Sequence, residues 1–279
     1  MGRVARVREL VFDSEDLQVV KVPGHRDDIV FITFEHCLPE HERGRLGFAE
    51  NFLQGRGFTA YHFQPSSNSW YQLPEMTEAM ARVRADIAPG TRVVTYGMSM
   101  GAYAAYRFSE PLAADSVIAF SPQCSVDPRI VWWERRWRYE GKSLIWDRTP
   151  PRTEAAIYVF YDPLNADRRH IRRMSREARM RLVRICFSGH AAIMYLQECG
   201  LLESAILGAA IGELDIPAFE ALAWRERDRS PTFHKTRRRK RTGVFRRFRY
   251  FCIELMLKRR LAVRRTGIGW AAEGDGSVS

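Results

Sequence analysis

Residues 93–105 read V-V-T-Y-G-M-S-M-G-A-Y-A-A. Within them, Gly97-Met98-Ser99-Met100-Gly101 sets a serine between two glycines, after an apolar run and before an Ala-rich one. That spacing suits a nucleophile. A serine that attacks a carbonyl must stand on a sharp turn between strand and helix, in a strained backbone conformation. Glycines two residues away on either side remove the Cβ atoms that would collide in so tight a turn. The helix that follows offers N–H groups and the positive end of its dipole to a developing oxyanion.

Such a serine needs a base, and the base an orienting acid. His190 ends the stretch Ile185-Cys-Phe-Ser-Gly-His190, directly after the last strand-like run. From this small-residue loop an imidazole can reach over the sheet end, so His190 is the expected base. For the acid, the run Ile157–Tyr161 ends in Asp162-Pro-Leu-Asn-Ala-Asp167. Asp162 lies at a strand's C-terminal end, where sites in open α/β sheets form, and is the favoured acid. Asp167 is placed to N-cap a helix beginning at Arg168, and stands as the alternative acid.

The elements that must hold these groups are legible as an alternation. Residues 8–22 read as a hairpin closed by Pro23-Gly24, and strand signatures recur at 29–34, 59–63, 93–96, 116–120, 157–161 and 182–187. Helical spacing fills the intervals: Leu46 to Leu53, Met76 to Ile87, 100–109, 168–180 and a stretch after 190. Strands alternating with helices predict an α/β fold: about eight strands, mostly parallel, with helices on both faces.

With these residues in view, the chain resembles the α/β-hydrolase superfamily over about residues 8–212. The resemblance rests on Gly97-Met98-Ser99-Met100-Gly101, Asp162-Pro163-Leu164 after the penultimate strand and Gly189-His190 after the last. It implies a Ser-Asp-His triad in that chain order, which restricts the base to His170, His190 and His234. His170 lies in an Arg-rich helical stretch, read as a solvated face, and His234 lies in a basic tail. The resemblance also implies an oxyanion hole, one donor being the backbone N–H of Met100. The other would come from the loop after the first parallel strand, at Phe34 or Glu35. There Phe34-Glu35-His36 replaces the family's usual His-Gly and brings a carboxylate near the site.

Composition bounds the alternatives. With 46% hydrophobic and 28% charged residues, the 279-residue chain has the balance of a globular protein. No stretch approaches the ~20 apolar residues of a bilayer span, and the N-terminus shows no secretory signal. Five cysteines without a C-x-x-C pair argue for reduced thiols, a cytoplasmic location and no zinc site. No metal or other cofactor is expected. The net charge of +11 is concentrated: residues 225–265 carry 17 Lys and Arg against three acids, leaving the remainder slightly acidic.

The expected organisation is therefore a hydrolase domain over 1–224, a basic helical appendage over 225–265 and a loose terminus over 266–279. Ser230-Pro231 marks a helix start. Two apolar ridges on 244–263, one through Val244, Phe248, Phe251, Cys252 and Leu255, the other through Tyr250, Ile253, Leu257 and Leu261, read as a helix packed on protein. Nucleic acid or anionic lipid is the weaker reading of this tail, and its removal from residue 230 is expected to leave Ser99 reactive. Between the strands ending at 120 and starting at 157, a cap insertion (121–156) holds Trp132, Trp133, Trp137 and Trp146, suited to a small cover, an acyl pocket or sugar stacking. The loop Gln64 to Tyr71 supplies further polar groups on the same face. The leading function is hydrolysis of a small-molecule or glycan-linked ester by Ser99, His190 and Asp162. Acyl transfer on the same fold, or an inactive scaffold with a polyanion-binding tail, are the rivals; oligomeric state is not encoded legibly.

Overall fold

A computed structural model describes residues 8–137, 144, 150–240 and 244–262. Eight strands form one sheet: β1 (Glu9–Asp13), β2 (Leu17–Val22), β3 (Arg26–Phe34), β4 (Phe58–Pro65), β5 (Arg92–Met98), β6 (Ser116–Phe120), β7 (Ala156–Tyr161) and β8 (Met180–Arg184). Their spatial order is β1-β2-β4-β3-β5-β6-β7-β8. The leading hairpin is antiparallel and β2 joins β4 antiparallel; every later pairing is parallel.

Period two along each strand divides the core. Val30, Ile32 and Phe34 face one apolar layer, while Ile29 and Phe31 face the other. The first layer is covered by α2 (Met76–Asp86) and α3 (Met100–Arg107). Met76, Ala79, Met80 and Val83 form the buried stripe of α2, as their spacing requires. The second layer lies under α1 (Glu50–Gly55), α5 (Ala192–Glu198), α6 (Leu202–Ile211) and α7 (Ile216–Arg225). Between β7 and β8 runs α4 (Arg168–Met174), shorter than its sequence pattern suggests. Strand β8 ends at Arg184, three residues before the predicted limit, so His190 sits on a longer loop than expected.

Two helices follow, α8 (Pro231–Lys240) and α9 (Val244–Ala262). Ser230 caps α8 as the Ser-Pro signal implies, its Oγ accepting from the Phe233 N–H at 3.0 Å. Packing, however, crosses the boundary expected at 224/225. Phe233 is 2% exposed and meets Phe187, Trp224 and Tyr195, ring to ring, at 5.7, 6.1 and 6.4 Å. Glu198 of α5 accepts from Thr232 N–H at 3.0 Å and from the Ser230 hydroxyl. An Arg-rich composition hid this because one aromatic suffices to anchor a short helix. Residues 266–279, expected to be loose, lie outside the described residues.

Candidate active site

Strand β5 runs through the middle of the sheet and delivers Ser99 at its C-terminal end. The backbone there has φ 55° and ψ −114°, a left-handed value that a non-glycine residue adopts only when the surroundings compel it. The compulsion is steric and mutual. A Cβ on Gly97 would lie 2.3 Å from the Gly101 carbonyl carbon, and one on Gly101 would lie 2.1 Å from the Phe34 carbonyl oxygen. Ser99 N–H donates to the Phe120 carbonyl at 2.9 Å, which fixes the turn to β6.

His190 Nε2 lies 3.0 Å from Ser99 Oγ, and His190 Nδ1 lies 2.7 Å from Asp167 Oδ2. The acid at the imidazole is thus Asp167, not Asp162 as the strand-end argument favoured. Asp162 is fully buried and its oxygens are engaged elsewhere: Oδ1 accepts from Leu164 N–H at 2.8 Å, Oδ2 from Gly189 N–H at 2.9 Å. It pins the His190 loop to the β7 loop. Asp167 stands at the N-cap position of α4, but its side chain makes no cap hydrogen bond and turns to the imidazole instead. Burial raises Asp167's proton affinity, yet the hydrogen bond and charge of His190, with Arg136, together hold it below the usual carboxylate range. Burial pushes Asp162 upward despite Lys240 3.4 Å away.

No protein-family model matches the sequence, and no curated protein matches it. Solved structures do match. A capsule O-acetyltransferase of Neisseria meningitidis serogroup A aligns with a TM-score of 0.51 at 13% identity, over 71% of this chain and 93% of that one. A lidless α/β serine hydrolase from Xanthomonas campestris aligns at 0.44 with 18% identity, covering 73% and 93%. An esterase from Thermogutta terrifontis aligns at 0.47 with 15% identity, covering 75% and 96%. This chain has the α/β-hydrolase fold. The Ser99 turn, the Asp167 loop and the His190 loop follow β5, β7 and β8 at the C-terminal edge of the sheet.

Around the α/β-hydrolase elbow, the Phe34-Glu35 segment lies against Gly101, close to the N-terminus of α3 where Met100 sits. The Glu35 carboxylate does not face the serine. It is buried in an ion pair with Arg45, 2.6 Å at its shortest, and Tyr71 Oη lies 3.2 Å from the Glu35 carbonyl. Burial lowers the proton affinity of His36, the charge of Glu35 opposes this and that of His190 adds to it. The His36 Nδ1 is buried without a partner.

Sequence reasoning missed Gln123. It is fully buried, three residues beyond β6 at the same sheet edge that flagged Asp162, and its Oε1 lies 3.3 Å from Ser99 Oγ. That position was the available signal. It also missed Arg136, which carried none. Arg136 Nη2 donates to Asp167 Oδ1 at 2.8 Å and to Glu134 Oε2 at 2.6 Å. Glu134 in turn lies 3.1 Å from His170 Nε2. His170 is therefore buried, not on a solvated face, because α4 turns it toward the cap segment. Burial opposes ionisation of Glu134, but His170 and Arg136 outweigh it and keep it charged.

In the cap insertion, residues 121–137 form turns without helix or strand. Trp137 packs edge-on against Trp70 at 5.4 Å, Trp133 against His170 at 5.9 Å, while Trp132 is exposed. Trp146 lies outside the described residues. In the polar loop after β4, Asn68 is occupied: it accepts from Leu38 N–H and donates to Leu38 C=O. Among the described residues no three His, Cys, Asp or Glu side chains could hold a metal.

Proposed function

We propose that the chain is a serine hydrolase of ester-type substrates, with Ser99 as nucleophile, His190 as base and Asp167 as orienting acid. The observation that carries this reading is the hydrogen-bonded chain from Ser99 Oγ through His190 to Asp167, at 3.0 and 2.7 Å, on a strained elbow. In the first step Ser99 Oγ attacks the carbonyl carbon while His190 Nε2 takes its proton. The negative charge moves to the carbonyl oxygen, which the Met100 N–H and a backbone N–H near Glu35 receive. Protonated His190 then gives its proton to the departing alcohol, leaving an acyl-serine. Water activated by His190 releases the acid and restores Ser99. A hydroxyl acceptor in place of water would make the same acyl-enzyme a transferase, the chemistry named for the capsule O-acetyltransferase.

A fluorophosphonate probe tests the nucleophile. Native protein is expected to become labelled, and Ser99→Ala is expected to give none; equal labelling of the two ends the proposal. Product analysis with p-nitrophenyl acetate, with and without added glycan hydroxyls, then separates hydrolysis from transfer.

Gln123 has a role in this scheme by proton count. Asp167 holds the His190 proton on Nδ1, so Nε2 accepts the single Ser99 proton. Ser99 then has none left for Gln123 Oε1, while Gln123 Nε2 is buried without a partner. Turning the amide over presents its N–H to Ser99 Oγ and gives that nitrogen an acceptor. Gln123→Leu is expected to slow acylation by p-nitrophenyl acetate roughly tenfold, the value of one hydrogen bond of about 1.4 kcal/mol. An unchanged acylation rate in a variant with native melting temperature would remove Gln123 from the scheme.

A further inference from the structure

Helix α9 carries two apolar ridges, and only one is used. Tyr250 and Leu257 pack on the second core layer, Tyr250 meeting Phe187 at 6.0 Å. Glu254 on the same side is buried and paired with Arg237 at 2.8 Å. The other ridge faces outward: Phe245 is 93% exposed, Phe248 70%, and Val244, Phe251, Leu255 and Met256 are exposed beside them. At about 100° per residue these six side chains span an arc of about 140°. Arg247 and Lys258 border the arc on one side and Arg249 on the other; with Arg259 inside it, all four are exposed. The one carboxylate of the helix is turned inward, so the outward arc is apolar apart from Arg259, and the exposed charges on it and at its border are all cationic.

Scattered apolar residues on a surface need no explanation, but a continuous ridge of this size does. We propose that the outward arc of α9 seats on the surface of an anionic lipid bilayer, its rings among the acyl chains and its Arg and Lys groups among the phosphates. This is the arrangement of an interfacial helix, in which long cationic side chains reach from the flanks to the headgroups. Among the described residues no helix is long and apolar enough to cross a membrane, so the contact is peripheral. Neighbouring α8 adds to it. A groove of about 920 Å³ between the two helices is lined by Arg238 and by Arg237, the latter held by Glu254, and by Arg247, Phe248 and Phe251, the chemistry of an anionic amphiphile.

The rival occupants fit less well. Nucleic acid would use the cations and stack on the rings, but Val244, Leu255 and Met256 offer it nothing. A second copy of the chain, docked symmetrically, would set the same cations against each other.

The test uses the full chain and vesicles of phosphatidylcholine, alone or with about 30 mol% phosphatidylglycerol, at about 0.1 M salt. Sedimentation with the anionic vesicles and not with the neutral ones is expected. Phe248→Ser with Phe251→Ser should weaken partition at least about tenfold, and so should Arg247→Gln with Arg249→Gln and Lys258→Gln. Thermal melting of both variants should match the native chain, because every altered side chain is exposed. Equal partition to neutral vesicles, or native partition by the Phe variant, overturns the proposal. So does RNA binding that the Phe variant retains in a chain that ignores vesicles. Self-association broken by Phe248→Ser, with no vesicle binding, assigns the ridge to a second copy instead.

Discussion

Asp167→Asn should lower turnover of p-nitrophenyl acetate by about ten-thousand-fold, while Asp162→Asn should keep turnover within about tenfold of native. The difference follows from what each carboxylate touches. Asp167 Oδ2 receives the Nδ1 proton of His190 at 2.7 Å, which leaves Nε2 free to accept from Ser99. An asparagine presenting its amide to Nδ1 reverses the tautomer and places a proton at Nε2, facing the serine proton. It also withdraws the negative charge that stabilises the imidazolium. Asp162 makes no contact with the imidazole, and Asn in its place can still accept one of the two backbone N–H groups. Its loss belongs to stability, about 1–3 kcal/mol for the donor left unpaired in a buried site. Steady-state kinetics with thermal melts of both variants decide the matter. If Asp162→Asn is the silent enzyme and Asp167→Asn the active one, the acid has been misassigned.

Phe233→Ala should destabilise the chain by about 3–5 kcal/mol, a fall in Tm of roughly 10 °C. The ring is almost fully buried among Phe187, Trp224 and Tyr195, and its removal leaves a cavity between helices that cannot close on one another. Ending the chain at Arg229 should cost more, because it uncovers the same three rings and strips Glu198 of its partners in Ser230 and Thr232. Phe187 also lies two residues before Gly189, so disorder there reaches the His190 loop and fluorophosphonate labelling should fall with folding. A chain ending at Arg229 that melts and labels like the native one would restore the separable tail that charge distribution suggests.

The sheet and the strained turn at Ser99 were both legible in the order of residues. Strand periodicity is local, set by which side chains must be buried on each face, and the Val93–Tyr96 run could be read without knowing its neighbours. The elbow is local only in part: the collisions that exclude a Cβ at Gly97 involve residues a few positions away, whereas those at Gly101 come from Phe34 and Glu35 at the end of another strand. His190 was legible because a small-residue loop after the last strand has few other uses. Which carboxylate meets His190 became legible only in the packing. Both aspartates lie within six residues of one strand end, and the choice turned on where the His190 loop returns, a contact 23 residues distant. Distance in sequence likewise concealed Arg136, Gln123 and the burial of His170, whose partners come from separate elements. For the tail, composition recorded the charge but not the single ring that ties α8 to the core, nor which of two ridges on α9 faces water. A helical wheel shows that two faces are apolar; only the packing of the body against one of them distinguishes core from surface.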